Sequence, residues 1–238
     1  LASVTMCYND AEVNNAVIEQ LKKGVTFSLP STVELEVAKL IIDMVQSAEM
    51  VRFGKNGTDV TSAAIRLARA HTKREHVLVC GYHGWQDWYI GSTSRGLGVP
   101  SEVKKLTHKF EYNNIQNLKD LFDKYKNKVA AVIMEPMNIN WPIGDYLQQV
   151  EKVTKQNGAL FILDEMITGF RYSKGGAQKL FGIMPDLTVF GKGIANGFPL
   201  SVITGKKEVM NLVEDIFFSG TFGGETVSLT AAKVVLNK

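Results

Sequence analysis

Cysteine and proline are scarce here, two Cys and six Pro in 238 residues. Cys7 and Cys80 cannot build a disulfide scaffold, which excludes the small disulfide-stapled class and points to a reducing, cytoplasmic setting. No apolar run approaches the roughly 18 residues of a membrane-crossing helix, so no membrane partner is expected. An excess of one charge is missing too: 27 basic and 24 acidic residues leave a net charge of +3. The basic pairs Lys22-Lys23 and Lys104-Lys105 are isolated and read as solvated helix faces, so no nucleic-acid partner is expected. Repeats, low-complexity tracts and Ser/Pro-rich linkers are likewise absent. What is present, 45% hydrophobic and 21% charged side chains, is the composition of a globular chain long enough to bury a substantial core. The sequence opens on Leu1 rather than methionine and stops inside a helical pattern at residues 231–235. It is therefore expected to be a piece of a longer protein, and the absence of a targeting segment decides nothing.

The hydrophobic period switches repeatedly between helix and strand. Asn9 and Asp10 are caps for a helix on which Val13, Val17 and Leu21 share one face and which stops at Gly24. Ser31 and Glu34 fit a capping box ahead of Val33, Val37, Leu40, Ile41, Met44 and Val45. A third helix is expected over 59–70, with Ala63, Ala64, Leu67 and Ala68 inward. Continuous apolar runs then follow at 77–80, 129–134, 160–163, 187–190 and 200–203. Uninterrupted apolar strands are buried on both faces, as in parallel sheets. Helical patterns over 115–126 and 146–157 lie between them, so the fold class is α/β with a mostly parallel sheet sandwiched by helices.

In such folds ligands collect beyond the carboxyl ends of the strands. There the sequence places Gly81-Tyr82-His83-Gly84, Glu135-Pro136, Asp164-Glu165 and Gly191-Lys192-Gly193. The four histidines have no zinc spacing, and the phosphate-loop, dinucleotide and nucleophile-elbow motifs all fail. Lys192 at a strand end between two glycines is either a snorkelling surface cation or a partly desolvated amine fit to act as a nucleophile. Asp164 is either a turn aspartate or a carboxylate that holds a proton on a heterocyclic nitrogen. Residues 54–59, Gly-Lys-Asn-Gly-Thr-Asp, form either an ordinary helix start capped by Thr58 or an anion cradle. In conjunction, an anion cradle, an aromatic, a carboxylate and a lysine, each at an element boundary, describe a site for pyridoxal 5'-phosphate (PLP).

The same residues carry a resemblance. Asn56-Gly57-Thr58-Asp59, Tyr82-His83-Gly84, Glu135-Pro136 through Asn140, the stretch Asp164 through Arg171, Gly191-Lys192-Gly193 through Pro199, and Gly220-Thr221 follow one another as they do in class III (subgroup II) aminotransferases. These are fold-type-I PLP enzymes, and the chain is similar to their glutamate-1-semialdehyde 2,1-aminomutase branch. The resemblance covers nearly the whole chain and implies that residues 1–238 are the PLP-binding large domain, with an N-terminal segment and a C-terminal small domain beyond them. It implies that Lys192 is the Schiff-base lysine, that Asp164 pairs with the pyridinium nitrogen, and that Gly57 and Thr58 hold the phosphate. Thr221 would reach the phosphate of a neighbouring subunit in a homodimer with shared active sites. Tyr82 would stack on one ring face, with His83 as a hydrogen-bonding neighbour, and Met166 would cover the other face in place of the more usual valine. Ile167 stands where many aminotransferases have a ring-contacting glutamine, so Asn140 is the expected contact to the ring oxygen, unless it is only a turn residue. Phe222-Gly223-Gly224-Glu225 replaces the Ser-Gly-Asn-Pro-like stretch of a strict aminomutase and favours an aminotransferase. The expected activity is amino-group transfer between small-molecule donors and acceptors; the alternative is a truncated or non-catalytic PLP-fold scaffold.

Overall fold

In a computed structural model, which describes all 238 residues, the first helices start at their polar caps. Asp10 accepts the Val13 N–H at 3.0 Å to open α1 (Ala11–Leu21), and Ser31 accepts the Glu34 N–H to open α2 (Thr32–Met44). Next come β1 (Met50–Gly54) and α3 (Gly57–Thr72). This third helix begins earlier than its hydrophobic period suggests, and its N-cap is Asn56, not Thr58. The physical reason is Asp59, whose carboxylate reaches back to accept the N–H groups of Asn56 at 2.7 Å and Lys55 at 3.1 Å; this closes the turn at Asn56, two residues upstream of the threonine. The chain continues through β2 (His76–Cys80), the single turns α4 (Asp87–Ile90) and α5 (Ser101–Lys104), β3 (Thr107–Lys109), α6 (Ile115–Lys124), β4 (Val129–Met134) and α7 (Tyr146–Gln156). It ends with β5 (Leu160–Asp164), α8 (Gly176–Phe181), β6 (Leu187–Phe190), β7 (Ser201–Gly205), α9 (Lys207–Met210) and α10 (Thr226–Asn237).

Seven strands form one sheet in the order β1-β7-β6-β5-β4-β2-β3. The pairings from β3 through β6 are parallel, whereas β7 runs antiparallel to both β6 and β1. The reversal has a simple cause: only residues 191–200 connect β6 to β7, and a parallel return needs a crossover of a dozen or more residues. Alternating side chains of each inner strand feed two cores, as expected where helices cover both faces. On one face α3 sets Val60, Ala64, Leu67 and Ala68 against Val77, Val79, Ile133 and Ile162. On the other, Leu118, Phe122, Leu147 and Val150 of α6 and α7 meet Leu78, Val132 and Phe161, while α1, α2 and α10 cover Phe190 and Val202. With this burial on both sides, each large apolar side chain contributes roughly 1.5–3 kcal/mol, and the strand ends are held at fixed heights. No helix is long and apolar enough to cross a membrane, and both cysteines are free, Cys7 exposed and Cys80 buried.

Candidate active site

The carboxyl ends of β2, β5 and β6 open onto a cavity of about 610 Å³ whose far wall is the N-terminus of α3. Gly57, Thr58, Tyr82, His83, Asp164, Met166 and Lys192 all line it. Seven of the nine residues expected from the sequence therefore meet in one place. Asn140 and Thr221 do not. Asn140 is exposed and borders a separate cavity of about 190 Å³ with Cys80, Gly81 and Glu135. Thr221 lies in an exposed loop facing two other cavities, one of which it shares with Lys55, Asp59 and Arg66.

Asp164 is the last residue of β5 and is 2% exposed. Its Oδ1 accepts the Met166 N–H at 3.0 Å and its Oδ2 lies 2.8 Å from His83 Nδ1. The other ring nitrogen of His83, Nε2, lies 3.2 Å from the Cys80 carbonyl. Thr61 donates to the His83 backbone carbonyl at 3.0 Å and fixes the main chain from which the imidazole projects. His83 is thus a positioner of Asp164, turned toward β5 by a loop that begins directly after β2. A buried carboxylate needs such partners, and its remaining lone pairs are free for a donor in the cavity.

Lys192 follows β6 on a short 3-10 turn, Lys192–Ala195, with φ of +45°. A non-glycine residue in this region is held at a cost of roughly 1–3 kcal/mol, and such costs cluster at functional sites. Its ammonium makes no ion pair or hydrogen bond within the chain, in contrast to the saturated Lys55 nearby. The flanking glycines have steric reasons. A Cβ at Gly191 would lie 2.6 Å from Met166 Sδ, and one at Gly193 would collide with Thr5 Oγ1. Met166 is 8% exposed and also sits against Gly57, where a Cβ would come within 3.1 Å of its sulfur. The thioether thus fills the floor between the anion cradle and the lysine turn.

Two expected features of an anion cradle are present at α3. The N–H groups of Gly57 and Thr58 stand in the first turn with no acceptor in the chain, and Asp59 satisfies the two N–H groups before them. Free N–H groups and the positive end of a 16-residue helix face the cavity together, the arrangement that binds phosphate. Opposite stands Tyr82, which remains 59% exposed although its ring edge packs on Tyr89. An open aromatic face over a deep carboxylate matches a flat heterocycle that stacks above and is gripped below. Anion cradle, slab, carboxylate and unpartnered amine together fit PLP.

Several further residues shape the site. Glu135, after β4, is buried and accepts the Tyr82 N–H at 2.9 Å and the Asn138 amide, so it sets the height of the slab. Burial pushes its carboxyl above the ordinary range. The N-terminal strap is a second contributor: Thr5 and Met6 donate to Asn196 Oδ1 at 3.1 and 2.9 Å, Asn196 Nδ2 returns a bond to Cys7, and Ser3 lines the cavity. Arg171 ties the same strap through the Ala2 carbonyl and holds the loop after Asp164 through the Ile167 carbonyl. Trp85 and Gln86 form part of the rim. Glu135, an acid directly after an apolar strand, and Arg171, at the end of the stretch that starts at Asp164, had legible signals; strap contacts between residues about 190 positions apart have none.

Comparison with known proteins agrees with this geometry. The family model "Aminotransferase class-III" matches residues 1–238. The glutamate-1-semialdehyde 2,1-aminomutase of Sulfurihydrogenibium sp. (strain YO3AOP1) is 40% identical, over 92% of this chain and 56% of the relative. That of Archaeoglobus fulgidus is 41% identical, again over 92% and 56%. The chain thus spans little more than half the length of these curated relatives. Among solved structures, an omega-transaminase from Sphaerobacter thermophilus superposes with a TM-score of 0.90 at 29% identity, over 99% of this chain and 60% of that one. The PLP-containing FumI protein of Sphingopyxis sp. MTA144 gives 0.90 at 31%, over 97% and 57%. The α/β fold is the fold-type-I arrangement of these transaminases, and the chain belongs to the class III aminotransferase family.

Proposed function

We propose that residues 1–238 are the cofactor-binding large domain of a PLP-dependent enzyme that transfers an amino group between small molecules, an aminotransferase or an aminomutase-like relative of one. The observation that carries this is the shared cavity of Lys192, Asp164, Tyr82 and the Gly57-Thr58 cradle. Bound there, PLP supplies an aldehyde carbon and an electron-withdrawing ring. The residues do the rest. Gly57 and Thr58 anchor the phosphate through backbone N–H groups and a hydroxyl, and Tyr82 and Met166 enclose the ring. Asp164, oriented by His83, keeps a proton on the ring nitrogen, because a buried carboxylate strongly favours a cation beside it. Lys192 Nζ, the unpartnered amine of the cavity, would be the group that tethers the cofactor at its aldehyde carbon. When free, the same amine would take and return a proton at the amine-bearing carbon of the substrate, general acid-base work worth about 10²–10⁴-fold. The stretch Phe222-Gly223-Gly224-Glu225 in place of the strict aminomutase pattern supports release of a carbonyl product to a second acceptor. Thr221, in its exposed loop outside the cavity, would act at the phosphate of a second subunit in a homodimer, and the free cysteines support a cytoplasmic location.

Titration with PLP tests this directly. The chain is expected to gain visible absorbance, and borohydride reduction followed by peptide mapping is expected to leave the cofactor attached at Lys192. Lys192→Ala should abolish both the absorbance and turnover; retention of the chromophore in that variant would refute the assignment.

A further inference from the structure

Glu225, the last residue of the Phe222–Glu225 stretch that departs from the aminomutase pattern, has two contacts at once. Its carboxylate caps α10, accepting the N–H groups of Val227 at 2.8 Å and Ser228 at 3.0 Å. The same group pairs with Lys55 Nζ at 2.6 Å, and both side chains are largely buried, 17% and 9% exposed. Lys55 in turn precedes Asn56, Gly57 and Thr58, and it lines the main cavity and the neighbouring one that contains Thr221. Its ammonium reaches two further acceptors, the Pro199 carbonyl at 2.9 Å and Ser228 Oγ at 3.4 Å. An ammonium has three donors, and here all three are taken. One charge thereby joins the loop that carries the anion cradle, the segment that follows the Lys192 turn, and the start of α10.

We propose that Lys55 and Glu225 act as a pair of positioning residues that hold the Gly57-Thr58 cradle at a set distance from the Lys192 turn, and that Lys55 does not itself bind the phosphate. The inference rests on the PLP reading of the cavity. A phosphate ligand would need an uncommitted donor, and the ammonium has none. A positioning pair needs what is present: low exposure, good geometry and partners on separate segments. Because the two charges share one contact, removal of either should release the cradle, and removal of both should do little more.

The test is a double-mutant cycle on the full chain, Lys55→Met, Glu225→Gln and the double variant, read as dissociation constants for PLP and for pyridoxal, which lacks the phosphate. Each single variant is expected to weaken PLP about tenfold, close to 1.4 kcal/mol, while pyridoxal binding changes less than about twofold. The double variant is expected to lie within about twofold of the weaker single variant. Unchanged PLP affinity in the singles, additive losses, or equal losses for PLP and pyridoxal would each overturn the proposal, the last by showing general distortion of the site. Glu225→Asp keeps both charges while shortening the tie, so it preserves folding; it is expected to weaken PLP about threefold, and an unchanged constant would overturn the proposal as well. Failure of the unsubstituted chain to bind PLP is a separate result, which removes the proposed function itself.

Discussion

Asp164 and Glu165 are consecutive acids at the end of the same strand, both buried, with opposite fates. Asp164 faces the cavity, partnered by one imidazole and one N–H, with capacity left over. Glu165 points to the other side and is saturated. It accepts the Ala177 N–H at 2.6 Å, the Gln178 N–H at 3.0 Å, the Gln178 side-chain amide and the Thr168 hydroxyl. Its burial pushes the carboxyl up, and these four donors counter that only in part. Glu165 therefore knots α8 to the strand end, whereas Asp164 is held ready for a guest. The lesson is that residue type and burial do not separate scaffold from chemistry; unspent hydrogen-bonding capacity does.

The sharpest way to break that contrast is to neutralise each acid. Asp164→Asn is expected to lower kcat/KM at least about a hundredfold with a melting midpoint close to that of the parent. Glu165→Ala is expected to do the reverse, losing about 3 kcal/mol of stability from stranded buried donors while the folded fraction still binds PLP. Equal effects on activity and stability for both variants would erase the distinction. Activity assays paired with thermal melts decide it.

A smaller effect is expected where the scaffold meets the strap. Gly193→Ala places a methyl group against Thr5 and Arg171, and a forced shift of this kind costs about 1–3 kcal/mol. The strap, rather than the sheet, should yield, so limited proteolysis within residues 1–7 should accelerate before any cut in the core. Protection equal to the parent would mean that the strap does not depend on this close approach.

The smallest effect concerns pH, and it belongs to a histidine pair on the far edge rather than to the two acids. His76 Nδ1 and His108 Nε2 are 2.8 Å apart, and the His108 ring stacks on Tyr125 at 3.9 Å. Burial, His76 and Lys124 hold His108 down to about 4, and burial with Lys128 also lowers His76, against a raising effect from Glu75. A base depressed in the folded state binds protons first when unfolded, near pH ~6.5. Stability from this pair is thus complete above that value and is lost as pH falls toward about 4. His108→Gln should flatten the decline of the melting midpoint between pH 6.5 and 4; an unaltered slope would assign acid sensitivity elsewhere.

Much of the architecture could be read from side-chain order. The helices capped by Asp10 and Ser31, the apolar runs that became β2, β4, β5, β6 and β7, and the polar punctuation at Tyr82, Asp164 and Lys192 all stand where periodicity put them. β1 and β3 went unread because edge strands such as Met50–Gly54 and Thr107–Lys109 bury too little to show a continuous apolar run. The antiparallel turn-back of β7 was invisible for another reason: direction depends on connection length as well as on composition.

Chemistry by residue type was therefore decided locally: an amine beside small residues, an acid after an apolar strand, loose glycine N–H groups before a helix. These features depend on neighbours within a few positions, and such neighbours are written in the chain. Tertiary structure alone decided which groups were already spent. Lys55 and Lys192 are both lysines beside glycine, yet one meets three acceptors from distant segments and the other meets none. That difference arises only when loops more than a hundred residues apart converge, because hydrogen-bond saturation is a property of the folded surroundings and not of the side chain.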